Sequence, residues 1–358
     1  MKNLKTLVTA LAGTMLLASA HAATDVVFTG ATAFRAIMYA RAADILTGET
    51  DSTPGNFSIN SKSFTGGTLN TGASSGQQVN IHFVQVGSIG GISNLLNSRV
   101  LTTAAGGSFL CQAAFSDAYA ETAGYKSTTL TEARVGVTPF VLFHKPSLAG
   151  SSSAGIVNIN QRQLAFLFGS SGTLPTAYFG GSSTSDPWLL IGRDSQSGSR
   201  FIADSCAYFS GTAANYWTNT TTHVVELHPQ GGFASGSGVA TDVGRIQNSV
   251  GYSSPPDANT VSSAVFINYD GVPFTDANVE NGSYGLWGYE HVYYRNSLVN
   301  GVTKDTILAL IAAITDTTYQ HNTTYTPSNG KYIGNFVPLD DMQVERTADG
   351  GPITSLLY

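Results

Sequence analysis

Three short segments place small hydroxyl and glycine residues where an extended run gives way to a helical pattern. They are Thr29-Gly30-Ala31-Thr32-Ala33-Phe34, Gly87-Ser88-Ile89-Gly90-Gly91 and Ser195-Gln196-Ser197-Gly198-Ser199. At such a junction the first backbone amides of the helix have no partner within it, and the helix dipole adds positive charge there, so the chemistry offered is that of an anion site. Taken one at a time, the Ser and Thr residues also suit ordinary N-caps. Three in one chain can converge on one ligand, because the carboxyl ends of strands line the crevice of an open α/β sheet.

Other chemistries find little material. There is no G-x-S-x-G elbow and no H-E-x-x-H, so no catalytic residue is expected and hydrolysis is the least favoured function. His223 and His228 are five apart in an extended stretch, which turns them to opposite faces, and no metal or other cofactor is expected. The two cysteines, Cys111 and Cys206, make no zinc or C-x-x-C pattern; a single disulfide and two buried thiols both remain open.

The chain has 358 residues, with 17 Lys plus Arg against 23 Asp plus Glu and only 11% charged residues. Its first stretch has the layout of an export signal: Lys2 and Lys5, an apolar core from Leu7 to Leu17, and Ala20-His21-Ala22 as a small-x-small cleavage site. Residues 1–22 are therefore expected to be removed, placing the mature protein in the periplasm. No cysteine near that site would carry a lipid, and no run reaches the ~20 apolar residues of a spanning helix, so no direct membrane insertion is expected. Loss of the signal takes two lysines and no acid, which deepens the negative balance and argues against nucleic acid as a partner.

Positioning elements follow from periodicity. Asp25–Phe28 and Val79–Val86 read as strands, and Ala33–Leu46 and Ile92–Val100 as helices. Residues 48–76, rich in Ser, Thr, Gly and Asn, read as a surface insertion. The apolar run Val135–His144, broken by Pro139, suits a buried strand that crosses between lobes. Helices are expected over Asn158–Phe168, Arg200–Tyr208, Val239–Ile246 and Lys304–Thr315, with strands at Trp188–Gly192, Ala264–Tyr269 and Tyr284–Tyr294. Strands alternating with helices predict an α/β fold. Arg35 and Arg200 are expected to solvate helix surfaces, and Trp287, Tyr289, Tyr293 and Tyr294 to pack core and hinge.

Five segments in order resemble the phosphate-binding proteins of high-affinity phosphate ABC importers. Val79-Asn80-Ile81 through Gly87-Ser88-Ile89-Gly90-Gly91 resembles their V-N-x…G-S-x-G-G, and Thr29–Phe34 with the helix after it resembles their first loop. Ser116-Asp117-Ala118 is similar to their S-D-A, and Arg193–Ser199 to R-x-D-G-S-G-T. Asp270-Gly271-Val272-Pro273 and Ser283–Trp287 complete the set. The resemblance implies a type II periplasmic-binding-protein fold, in which two lobes, each a mixed sheet flanked by helices, are joined by two crossing strands. Lobe one would comprise 24–143 plus 286–358 and lobe two 144–285.

It further implies a monomer that captures phosphate or a similar oxyanion for an inner-membrane ABC permease. Ala33 and Phe34 would offer amides, Thr32 a hydroxyl, Ser88 a hydroxyl and an amide, and Arg193 the positive fork. Ser195, Ser197, Gly198 and Ser199 would close the site from lobe two. Asp117 would accept the proton of hydrogen phosphate and so reject sulfate. Two positions depart from the pattern: Ser195 stands where the family often has an acid, and Ala33 where it has a hydroxyl. A secreted structural or adhesive protein reusing the fold without transport is the competing expectation.

Overall fold

β-Branched and aromatic residues fit a pleated, buried surface, and the Val26-Val27-Phe28 run forms the middle of strand β1 (Thr24–Gly30). The computed structural model describes residues 22–57, 59–170, 174–320 and 336–356, so all but the last residue of the expected export signal lies outside the described residues. After β1 come helix α1 (Arg35–Asp44), strands β2 (Leu46–Thr47), β3 (Thr50–Asp51), β4 (Ser61–Leu69) and β5 (Gln78–Gln85), and helix α2 (Ser88–Leu96). Strands β6 (Val100–Thr102), β7 (Ser108–Ser116) and β8 (Leu130–Pro139) follow. Next are β9 (Val141–His144), β10 (Asn158–Ile159), α3 (Gln161–Gly169), β11 (Leu189–Ile191), α4 (Gly198–Cys206) and the hairpin of β12 (Tyr216–Thr218) and β13 (Val225–Leu227). The chain continues with α5 (Gly236–Val243), β14 (Ser249–Ser253), α6 (Pro255–Ala258), β15 (Val265–Tyr269), α7 (Asp276–Glu280), β16 (Trp287–Arg295) and α8 (Val302–Ile314). No helix among the described residues is long and apolar enough to cross a membrane.

Two mixed sheets result. The first is nine-stranded, running β2-β4-β5-β1-β7-β16-β8 with β3 on β4 and β6 on β7; β1 is parallel to β5 and β7, while β16 is antiparallel to β7 and β8. The second runs β10-β15-β9-β14-β11, with β9 antiparallel to both of its neighbours. As expected for Val135–His144, the chain leaves the first sheet at Pro139 and enters the second at Val141. It returns before β16, and the two crossings are tied together: Phe140 N donates to Leu286 O (2.9 Å) and the Tyr284 hydroxyl to Phe140 O (2.7 Å).

The crossings are embedded in one apolar cluster that joins Val137, Trp287 and Tyr289 of the first sheet to Leu142, Leu190 and Val250 of the second. The Arg346 guanidinium lies 3.8 Å from the Trp287 ring centroid and donates to the Trp287 and Gly285 carbonyls (2.9 and 3.1 Å). The aromatic run thus packs as core. Nearby, the Asp349 carboxylate accepts from Tyr119 N (2.9 Å), and burial pushes its carboxyl up to about 7. An acid raised in the folded state binds more protons there than in the unfolded chain, so stability falls as pH rises from about 4 to about 7 and is level above. Asp349→Asn is expected to remove this loss, up to about 4 kcal/mol for a shift of this size, seen as a smaller pH dependence of urea midpoints.

Three expectations are corrected. Residues 48–76 are not a surface insertion, because β4 within them pairs along β5, and its Lys62 is fully buried against Asp51 (2.6 Å) and the Phe64 ring. Helix α2 starts a turn earlier than expected and ends before Val100, which is strand. Its glycines read as loop but serve close packing, since a Cβ on Gly91 would sit 2.9 Å from the Gly30 nitrogen. Neither Arg35 nor Arg200 solvates a helix surface: both are buried, Arg35 for reasons given below and Arg200 against Asp204 (3.4 Å). Cys111 and Cys206 are both free and buried, which settles the alternatives left open above.

Candidate functional site

Strand β11 carries the chain to Arg193, whose backbone amide donates to the Tyr252 hydroxyl (3.2 Å). The side chain is 2% exposed. Its Nε donates to Phe233 O (3.0 Å), Nη2 to Ala234 O (3.0 Å) and to Thr32 Oγ1 (3.1 Å), and Nη1 to Ser199 Oγ (2.8 Å). Four of the five guanidinium hydrogens are used in this way. The bond to Thr32 joins the loop after β1 in the first sheet to the loop after β11 in the second. Because Thr32 and Ser199 accept from the cation, their own hydroxyl hydrogens are directed elsewhere and are polarised for donation. Burial lowers the guanidinium's proton affinity, and Asp117 nearby opposes that.

Asp117 follows the end of β7, and Ser88 opens α2. The Ser88 hydroxyl donates to Asp117 Oδ1 and accepts from the Asp117 amide (3.2 Å). Burial pushes the Asp117 carboxyl up, opposed first by the Ser88 hydroxyl and then by Arg193. The start of α4 closes over this pair. Gly198, its first residue, approaches so closely that a Cβ there would lie 2.5 Å from Ser88 Oγ and 3.0 Å from Asp117 Cγ. Ser197 Oγ accepts from Arg200 N (3.3 Å) and lies 2.8 Å from Ser199 Oγ, while Ile89 N donates to Gln196 O (3.0 Å).

Thr32, Ser88, Asp117, Arg193, Ser197, Gly198 and Ser199 are therefore brought together, and all are buried. Phe34 is the N-cap of α1, with its ring packed on Phe115 and Phe336, and half-buried Ala33 precedes it. Ser195 is exposed, where its hydroxyl accepts from Gln196 Nε2 (3.4 Å); the structure does not bring it into the group. The ordinary capping role proposed for these hydroxyls is met at α4, through Ser197. At α1 and α2 the N-caps are Phe34 and Gly87, neither of which makes a side-chain cap, so the amides at those helix starts are not spent on a capping side chain.

Sequence reasoning missed what surrounds the group. Arg35 donates to Thr32 O and lies 3.6 Å from Asp257 Oδ1 on α6, so it forms a second polar link between the two halves. An arginine on an amphipathic helix next to a glycine-rich loop carries no signal for a partner more than two hundred residues away. The Phe233 and Ala234 carbonyls are backbone groups that residue type cannot reveal. Tyr252 sits in β14, whose Ser249-Val250-Gly251-Tyr252-Ser253 sequence lacks the apolar run that marks a buried strand.

Solved structures share this architecture. A Clostridium perfringens protein assigned as a phosphate ABC transporter substrate-binding protein, crystallised with bound phosphate, superposes with a TM-score of 0.54 at 18% identity, covering 83% of this chain and 95% of its own. An ABC-type phosphate transport receptor from Vibrio cholerae gives 0.51 at 17% identity over 80% and 93%. The fold is that of a two-lobed periplasmic binding protein. A phosphate-binding protein from Stenotrophomonas maltophilia gives 0.52 at 16% identity over 88% and 91%. No protein-family model matches the sequence, and no curated protein matches it. Within the binding-protein fold, the loops after β1, β5, β7 and β11 meet between the two sheets, which is where Thr32, Ser88, Asp117 and Arg193 lie.

Proposed function

We propose that the protein is a non-enzymatic periplasmic receptor, exported by residues 1–22, that captures phosphate or a closely similar oxyanion between lobes spanning 24–143 plus 286–358 and 144–285. As a monomer it would deliver the anion to an inner-membrane ABC permease. The observation that carries this reading is the buried Arg193 fork, which reaches hydroxyls of both halves beside two helix starts without side-chain caps. That the similar Clostridium protein holds phosphate supports the choice of anion.

Capture then has a simple physical order. The anion meets the amides of Ala33 and Phe34, the Thr32 hydroxyl and the Ser88 amide on one lobe, while the Ser88 hydroxyl hydrogen stays on Asp117. The other lobe brings Arg193, Ser197, Gly198 and Ser199, and closure removes water, which strengthens each bond to the charge. Asp117 takes the proton that hydrogen phosphate carries and sulfate lacks. Calorimetric titration of the mature protein with phosphate, and with sulfate in competition, tests the reading; absence of heat with both anions would overturn it. Asp117→Asn is expected to raise sulfate affinity by about tenfold or more, since like charges no longer face each other, and so to narrow the phosphate-to-sulfate ratio. An unchanged ratio removes Asp117 from the role of proton acceptor.

A further inference from the structure

A second carboxyl lies beside Asp117. The β7–β16 register pairs Ser116 with His291, which makes Asp117 and Glu290 the next cross-strand neighbours. Trp287, Tyr289 and His291 contact one another and Tyr119 on one face of β16. Strand alternation turns Gly288 and Glu290 to the other face, where Ile202 of α4 and the Asp117 carbonyl crowd Gly288. Opposite Glu290 on β8 stands Gly136, and the place of its absent side chain is taken by the Phe336 and Phe34 rings. Glu290 therefore lies beneath the proposed site, among Asp117, the start of α1 and α4.

This carboxyl is fully buried, and among the described residues neither of its oxygens has a hydrogen-bond partner. Burial, with Asp117 adding to it, pushes the group well above the usual carboxylate range. Two carboxyls this close in a dry site do not both ionise. Arg193 and the Ser88 hydroxyl stabilise charge on Asp117, and no such group faces Glu290, so the charge belongs on Asp117 and the proton on Glu290. Other titratable groups nearby do not change this order. Asp349 is itself raised by burial, with Asp117 adding to that, while His291, on the opposite face with Glu132 and Arg134, is lowered by burial.

We propose that Glu290 is a specificity-determining residue of the anion site: a neutral carboxylic acid that keeps the single proton of the Asp117–Glu290 pair and leaves Asp117 as the one charged acceptor for the ligand's proton. The proposal rests on the oxyanion-binding function above. It also fixes a sign. When pH rises far enough to ionise Glu290, a second negative charge appears beside the anion and affinity falls, by about tenfold per pH unit beyond that point.

The test compares wild-type protein with Glu290→Gln, which keeps size and neutrality but cannot ionise. Infrared difference spectra of the two ligand-free proteins should show the carbonyl stretch of one protonated carboxyl at neutral pH, absent from the variant. Phosphate titrations across the alkaline range should show affinity falling in wild type in step with loss of that band, while the affinity of the variant shows no such fall. A spectrum without the Glu290 band overturns the proposal, as do identical alkaline profiles in the two proteins. Were wild-type protein to bind neither phosphate nor sulfate, the function above would fall, and the spectrum would still decide where the proton resides.

Discussion

Arg193→Lys is expected to weaken phosphate binding by about a hundredfold to a thousandfold, and Arg193→Ala by at least as much. The one guanidinium hydrogen left over, with the Thr32 and Ser199 hydroxyls that the cation orients, accounts for that range at roughly 1.5–3 kcal/mol per bond to a charged ligand. Lysine keeps the charge but not the geometry. A single ammonium on a flexible stem cannot reach Phe233 O, Ala234 O, Ser199 Oγ and Thr32 Oγ1 at once, as the planar fork does. The hydroxyls of Thr32 and Ser199 would then lose the donor that orients them. Calorimetry with phosphate measures the loss, and thermal melts of the variants establish that they remain folded. Binding within tenfold of wild type by the lysine variant would show that the fork does not contact the anion.

Gly198→Val acts on closure itself. A Cβ at this position would lie 2.8 Å from the Ser88 Cβ and 3.0 Å from the Asp117 Cγ, and both belong to the facing half of the molecule. Helix α4 begins at this residue, so relief requires either a shift of its first turn or a wider separation of the lobes. Expected outcomes are a loss of phosphate affinity of about a hundredfold or more, since overpacking alone costs roughly 1–3 kcal/mol and the bonds from the second lobe lengthen as well. Secondary structure by circular dichroism should be unchanged, and small-angle scattering should show a larger radius of gyration with phosphate present. A variant as compact and as tight-binding as wild type would refute the close approach of α4 to Ser88 and Asp117.

Much of the fold was legible where local signals were strong. The β-branched run of β1, helix α8 and the Pro139 break between the sheets all lie where periodicity places them. So do the three strand-to-helix junctions, because their glycines and hydroxyls answer local backbone needs. What escaped notice depends on residues far apart in sequence. Lys62 in β4 looks polar until Asp51 and three aromatic rings surround it. Arg35 looks solvated until Asp257 meets it. Glu290 sits in an aromatic strand and becomes a neighbour of Asp117 only through sheet register, which no short motif encodes. Ser195 errs in the other direction: family pattern selected the position, but the turn of Ser195-Gln196 faces solvent and the α4 start is presented by the residues after it.

The apolar cluster that runs from Val137 and Trp287 to Leu142 and Val250 has a thermodynamic consequence. A conventional linker would let each half melt at its own temperature. Here neither half can expose its share of the cluster without stripping cover from the other, so the described fold is one cooperative unit and a single heat-absorption peak is its natural signature. An anion held among Thr32, Arg193 and Ser199 would then raise the melting temperature of the entire molecule, by an amount set by its concentration relative to its dissociation constant.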